Sequence, residues 1–176
     1  MTALRCTAKL LKRLGIGNPG DPPPPENVLG DWYANIFFTR VGHFVLLLSE
    51  RSRLPVLLSA RDLPSLPTRF IQTLTDLLSD LDVPKHQIDR EVAAMQPLYF
   101  GKTANRSVLG TLNDDVFLAM EWLASGDLSV YDVTRRLARA PCLPLESKFP
   151  DKETRKLLAN PRGFTVLQGR GQADPR

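Results

Sequence analysis

The sequence predicts an α+β domain, an antiparallel sheet of about four to five strands packed with about four to five helices. Three observations lead there. Residues 31–60 hold three apolar, aromatic or branched runs, DWYANIFFTR, HFVLLLSE and LPVLLSA, joined only by RVG and RSR. Connections that short favour an antiparallel meander. From Thr68 onward the apolar period changes from that of a strand to that of a helix. The chain has 176 residues, 43% apolar and 24% charged, enough for one buried core.

Taken in order, TALRC reads as a short strand with Leu4 and Cys6 on one face, and AKLLKRL as a helix stopped by Gly15. Four consecutive prolines, flanked by glycines, make residues 16–29 a semi-rigid connector. In the meander, HFVLLLSE is apolar on both faces and so is covered on both sides, while Pro55 puts the third run near an edge or at a strand start. Phe70, Ile71, Leu74, Leu77, Leu78 and Leu81 form a helical stripe, with Thr68 as its cap. A second helix opens at Pro84 and turns Ile88, Val92 and Met95 inward. QPLYFGK reads as one more strand. A long helix follows over residues 105–125, closed by Gly126, and Ser129 with Asp132 resembles a capping box opening a last one.

The net charge of +4 is unevenly spread. Residues 144–176 hold seven Lys or Arg against four Asp or Glu, whereas residues 1–143 carry a balance of only +1. The expectation is a near-neutral domain over 1–143 and a basic, flexible tail over 144–176. Only that tail offers a nucleic-acid arm. No apolar run reaches membrane-span length, so a cytoplasmic location without a membrane partner is expected. Cys6 and Cys142, at opposite ends of the chain, are expected as free thiols.

Familiar chemistry is missing. Two isolated His and two isolated Cys make no zinc-type ligand set, and no phosphate-cradling glycine loop or nucleophile elbow occurs. No metal, no cofactor and no catalytic residue is therefore expected. Asp114 and Asp115 are adjacent, so a helix points them about 100° apart, as solvated charges rather than a proton-sharing dyad.

What remains is a stripe. Arg106, Gly110, Asn113 and Phe117 share one side of the long helix, beside a core stripe of Val108, Leu112, Val116, Met120 and Leu123. Gly inside a helix costs about 1 kcal/mol relative to Ala. Either a ligand or another backbone comes close to Gly110, or Gly110 is a helix-on-sheet contact and Arg106 an ordinary ion-pair partner. The strand WYAN offers a second surface, with Trp32 on one face and Tyr33 and Asn35 on the other.

LRCTAKLLKRLG, LGDWYANIFF and KTANRSVLGTLND together resemble a bacterial family of uncharacterised single-domain proteins. The resemblance spans residues 3 to about 140, and GNPGDPPPP is longer than the connector of typical members. It implies one compact α+β domain in a bacterial cytoplasm, and no activity. The expected function is a non-catalytic binding or regulatory protein for an anionic ligand or protein partner. Its site is expected between the start of the long helix and the WYAN strand, built from Arg106, Asn105, Gly110, Asn113, Lys102, Trp32, Tyr33 and Asn35. The competing class is an enzyme acting on a nucleotide or nucleic acid, with Asp31 or Asp114 as acid/base group.

Overall fold

The structure, a computed structural model, describes residues 1–161. Its one sheet has five strands, β1 (Thr2–Cys6), β2 (Trp32–Thr39), β3 (Gly42–Ser49), β4 (Pro55–Ser59) and β5 (Leu98–Lys102), in the order β4-β3-β2-β1-β5. Among the described residues there are six helices: α1 (Ala8–Leu14), α2 (Leu66–Asp80), α3 (Lys85–Met95), α4 (Arg106–Ala124), α5 (Val130–Ala138) and α6 (Pro150–Ala159).

The expected antiparallel sheet is in fact mixed. The meander β2-β3-β4 is antiparallel as its short turns require, but β1 runs parallel to both β2 and β5. A parallel pair needs a crossover, and the chain supplies two. One is α1 with the proline-rich connector, leading to β2. The other is α2 with α3, leading from β4 to β5.

Both faces of the sheet are covered. Leu4, Cys6, Trp32, Ala34, Ile36, Val45, Leu47 and Val56 point to a first core shared with α1, α2, α3 and α6, where Trp32 packs edge-on against Phe70 at 4.8 Å. Tyr33, Phe37, Phe44, Leu46, Leu48 and Leu57 point to a second core under α4 and α5. This two-sided burial is why HFVLLLSE has no polar face. α5 also protects the edge strand β4, because Thr134 Oγ1 accepts the Leu57 N–H at 3.0 Å.

The connector is tied down rather than loose. Asp31, buried at its end, accepts from Ala3 N at 2.9 Å and from Arg5 Nε at 2.6 Å. Glu91 of α3, also buried, accepts from Asn27 Nδ2 (2.9 Å), Val28 N (2.8 Å) and Leu29 N (2.9 Å). Arg51 Nη1 donates to the carbonyls of Asn27 and Val28 at 3.2 and 3.0 Å. Gly30 follows with φ +77°, where a Cβ would lie only 3.1 Å from the Arg51 side chain. Further back, Pro22 lies against Gly101 of β5, its Cγ 3.0 Å from where a Cβ would stand.

Residues 144–161 lie within the stretch expected to be tail. They carry α6, whose Leu157 and Leu158 are buried in the first core and whose Leu158 carbonyl accepts from Arg90 Nη2 at 3.0 Å. A single pair of adjacent leucines leaves almost no periodic trace, so this helix was invisible to a reading of apolar spacing. Residues 162–176, with the expectation of a flexible basic arm, lie outside the described residues.

Removing the Glu91 carboxylate strands the Val28 and Leu29 amides and takes one of two acceptors from Asn27 Nδ2, which keeps the Gly30 carbonyl, at about 1–3 kcal/mol per unsatisfied group before relaxation. Glu91→Ala is expected to lower unfolding stability by about 2–4 kcal/mol, read from urea denaturation. A loss below about 0.5 kcal/mol would show that the connector does not depend on this clasp.

Candidate functional site

β1 and β5 are adjacent and parallel, with Cys6 paired to Lys102 at their carboxyl ends. The helix after β1, α1, packs on the first face of the sheet, and the helix after β5, α4, packs on the second. The chain thus departs to opposite sides at neighbouring strand ends. Such a switch point opens a crevice that no connection covers, and ligands of open parallel sheets favour it. A cavity of about 460 Å³ lies there on the α1 side, lined by Cys6, Ala8, Leu11, Lys12, Ile16, Gly17, Lys102 and Thr103. That volume suits a small organic molecule.

The lining is apolar within and cationic at its margin. Leu11 and Cys6 are buried, while Lys12 and Lys102 are exposed and form no ion pair among the described residues. Burial pushes the Cys6 thiol up to about 12, which removes it as a thiolate nucleophile. Among the described residues, no group of three or more His, Cys, Asp or Glu is placed to hold a metal ion.

The residues expected to form one site are dispersed. Lys102 lines the crevice. Asn105 caps α4, its Oδ1 accepting from Ser107 N at 3.0 Å and Val108 N at 3.3 Å, and its own N–H donates to Tyr33 Oη at 3.1 Å. Those two therefore meet, but as a structural clasp. Asn35 Oδ1 accepts from Thr7 Oγ1 at 2.9 Å. Trp32 is wholly buried on the opposite face of the sheet and offers no stacking surface. Arg106, Gly110 and Asn113 all face solvent. Gly110 has no atom within 4 Å of where a Cβ would stand, so it is not a helix-on-sheet contact, and Arg106 has no ion-pair partner among the described residues.

One cluster escaped the sequence reading. Arg53, in the β3–β4 turn at φ +57°, is buried without a carboxylate in ion-pair reach among the described residues. Its Nη2 reaches Ser107 Oγ at 3.4 Å, its Nη1 donates to the Glu50 carbonyl, and its Nε has no partner among the described residues. Beside it, burial raises the Cys142 thiol, Asp115 raises it further, and Arg53 partly offsets them. Asp115 is half-buried, unlike exposed Asp114; burial, then the Asp114 charge, pushes its carboxyl up to about 7. The pair is thus not two equally solvated charges. A reading by helical angle alone does not see Cys142 arriving from another part of the chain. Both thiols are free and buried.

Asp31 is consumed by Ala3 and Arg5, and Asp114 points to water. Among the described residues that line the cavity, no nucleophile, base and charge stabiliser converge.

A family model, a domain of unknown function (DUF6933), matches residues 3–153. The chain belongs to the DUF6933 family. The match runs from β1 into the first turn of α6, so the crevice, the connector and the α4 stripe all fall inside the DUF6933 domain. No curated protein and no solved structure matches the chain. Among the described residues no helix is long and apolar enough to cross a membrane.

Two outcomes are expected of the DUF6933 chain. Gly110→Ala, with open space at the Cβ, raises unfolding stability of the dilute protein by about 1 kcal/mol by urea denaturation; a loss would mean that something packs there. Asp115 has a folded pKa above its unfolded one, near 3.8, so its contribution is fully present below about pH 4 and is lost as pH rises to about 7. Asp115→Asn should abolish that decline, so the stability difference between variant and parent grows from pH 4 to 7 and levels off above. Parallel pH profiles would place the Asp115 carboxyl in water.

Proposed function

We propose that the protein is a non-catalytic binding protein whose ligand is a small molecule carrying an anionic group, seated in the crevice at the carboxyl ends of β1 and β5. The observation that carries this reading is the cavity of about 460 Å³ at the topological switch point, with an apolar interior and, at its margin, the ammonium groups of Lys12 and Lys102, which have no ion-pair partner among the described residues. An apolar pocket with a few convergent polar groups is the common form of a ligand site. The ammonium groups supply point charges for a carboxylate or phosphate, Thr103 lies beside them, and Leu11 and Ile16 contact the ligand's apolar part.

The high Cys6 pKa supports binding over covalent chemistry. Of the residues first expected to bind, Lys102 keeps that role and Asn105 with Tyr33 becomes its support, by fixing the start of α4 after the β5–α4 loop.

The test is thermal-shift screening of the full chain against inorganic phosphate, nucleoside phosphates and short-chain carboxylates. At least one is expected to raise Tm with saturation, and the Lys12→Met/Lys102→Met double variant, whose unliganded Tm stays near the parent's, should lose that rise. Binding that survives both substitutions, or no rise with any probe, would sink the reading.

A further inference from the structure

The exposed face of α4 has features that the crevice does not use. At 100° per residue, Arg106, Gly110, Asn113, Phe117 and Glu121 fall within one sector of about 80°. All five are exposed, and Phe117 is 72% exposed, a large apolar surface to leave in water. Arg106 and Glu121 have no ion-pair partner among the described residues, and Gly110 stands over open space.

This face is complementary to itself. Set antiparallel against a copy, with the two-fold axis midway between Asn113 and Asp114, Gly110 stands opposite Phe117 and Arg106 opposite Glu121, each pair occurring twice. The missing Cβ of Gly110 leaves a hollow for the Phe117 ring of the second copy, and it lets the two helix axes come close. The Arg106 and Glu121 charges pair at both ends of the seam. A parallel arrangement in register would instead oppose Arg106 with Arg106 and Glu121 with Glu121, so the charges select the antiparallel one.

We propose that α4 is an isologous seam through which two copies of this chain associate, with Phe117 seated over Gly110 and Arg106 paired with Glu121. The seam is one helix over about 22 Å, which places it at the small end of specific interfaces, so the dimer is concentration-dependent. The proposal is independent of the crevice reading, since none of these residues lines the cavity.

Sedimentation equilibrium of the full chain, from micromolar to submillimolar concentration, tests it. A monomer–dimer equilibrium is expected. Arg106→Glu and Glu121→Arg should each weaken it at least about tenfold, and the double reversal should restore it. Gly110→Ala should weaken it too, although that variant's fold is the more stable, which separates lost association from lost folding. A chain monomeric at every concentration overturns the proposal, as does a double reversal that fails to restore association.

Discussion

β1 hydrogen-bonds in parallel to a neighbour on each side, and a parallel pair cannot be closed by a tight turn. Much of the architecture follows from that. Reaching β2 from β1 takes α1 and the long connector, and reaching β5 from β4 takes α2 and α3, all packed on one face of the sheet apart from the connector. The chain leaving β5 covers the other face with α4 and α5 and then returns with α6 to complete the first. The crevice between β1 and β5 is a by-product of this routing rather than a feature added to it.

The routing raises a cost that the polar residues offset. A connector without secondary structure presents its backbone amides to the sheet, where water is scarce. Glu91 answers this with a carboxylate that accepts from the Val28 and Leu29 N–H groups, Arg51 answers the carbonyls, and Asp31 pins the end of the connector to the Ala3 N–H of β1. Placing Asp31 and Glu91 in the interior is tolerable because each carboxylate accepts several hydrogen bonds there. The same bonds hold Asp31 against β1 through Ala3 and Arg5.

Much of this was legible in the sequence where local rules govern. The meander was plain from RVG and RSR, α2 from its leucine stripe, and the cap of α5 from Ser129 and Asp132. Parallel pairing of β1 was not, because strand direction is set by crossovers whose length alone does not say which strand they reach. The length from Thr7 to Asp31 was nonetheless a usable signal. The candidate site was less legible still. Lys102 was singled out, but Lys12 looked like a solvated helix charge, and only the sheet order brings the two to one cavity. Alternation puts Trp32 and Tyr33 on opposite faces already in the sequence, but it does not say that helices cover both faces, and that cover is what buries the Trp32 ring completely.

α4 shows why a local oddity need not mark the nearest cavity. Its inner side, with Val108, Leu112, Ala119 and Leu123, is held by packing against the sheet, and that packing stabilises the helix whatever its outer side contains. Gly110 lowers helix propensity by about 1 kcal/mol on a side that faces only water, where any residue with a side chain would fit. Folding of the isolated chain thus supplies no reason for glycine there, and neither does the crevice, which it does not line. The proposed second copy, approaching the helix from outside, supplies one. Phe117, two turns along the same side and largely exposed, is the one aromatic on that face able to fill such a hollow. The helix that carries both the hollow and the ring can only bring them together by meeting a second copy of itself.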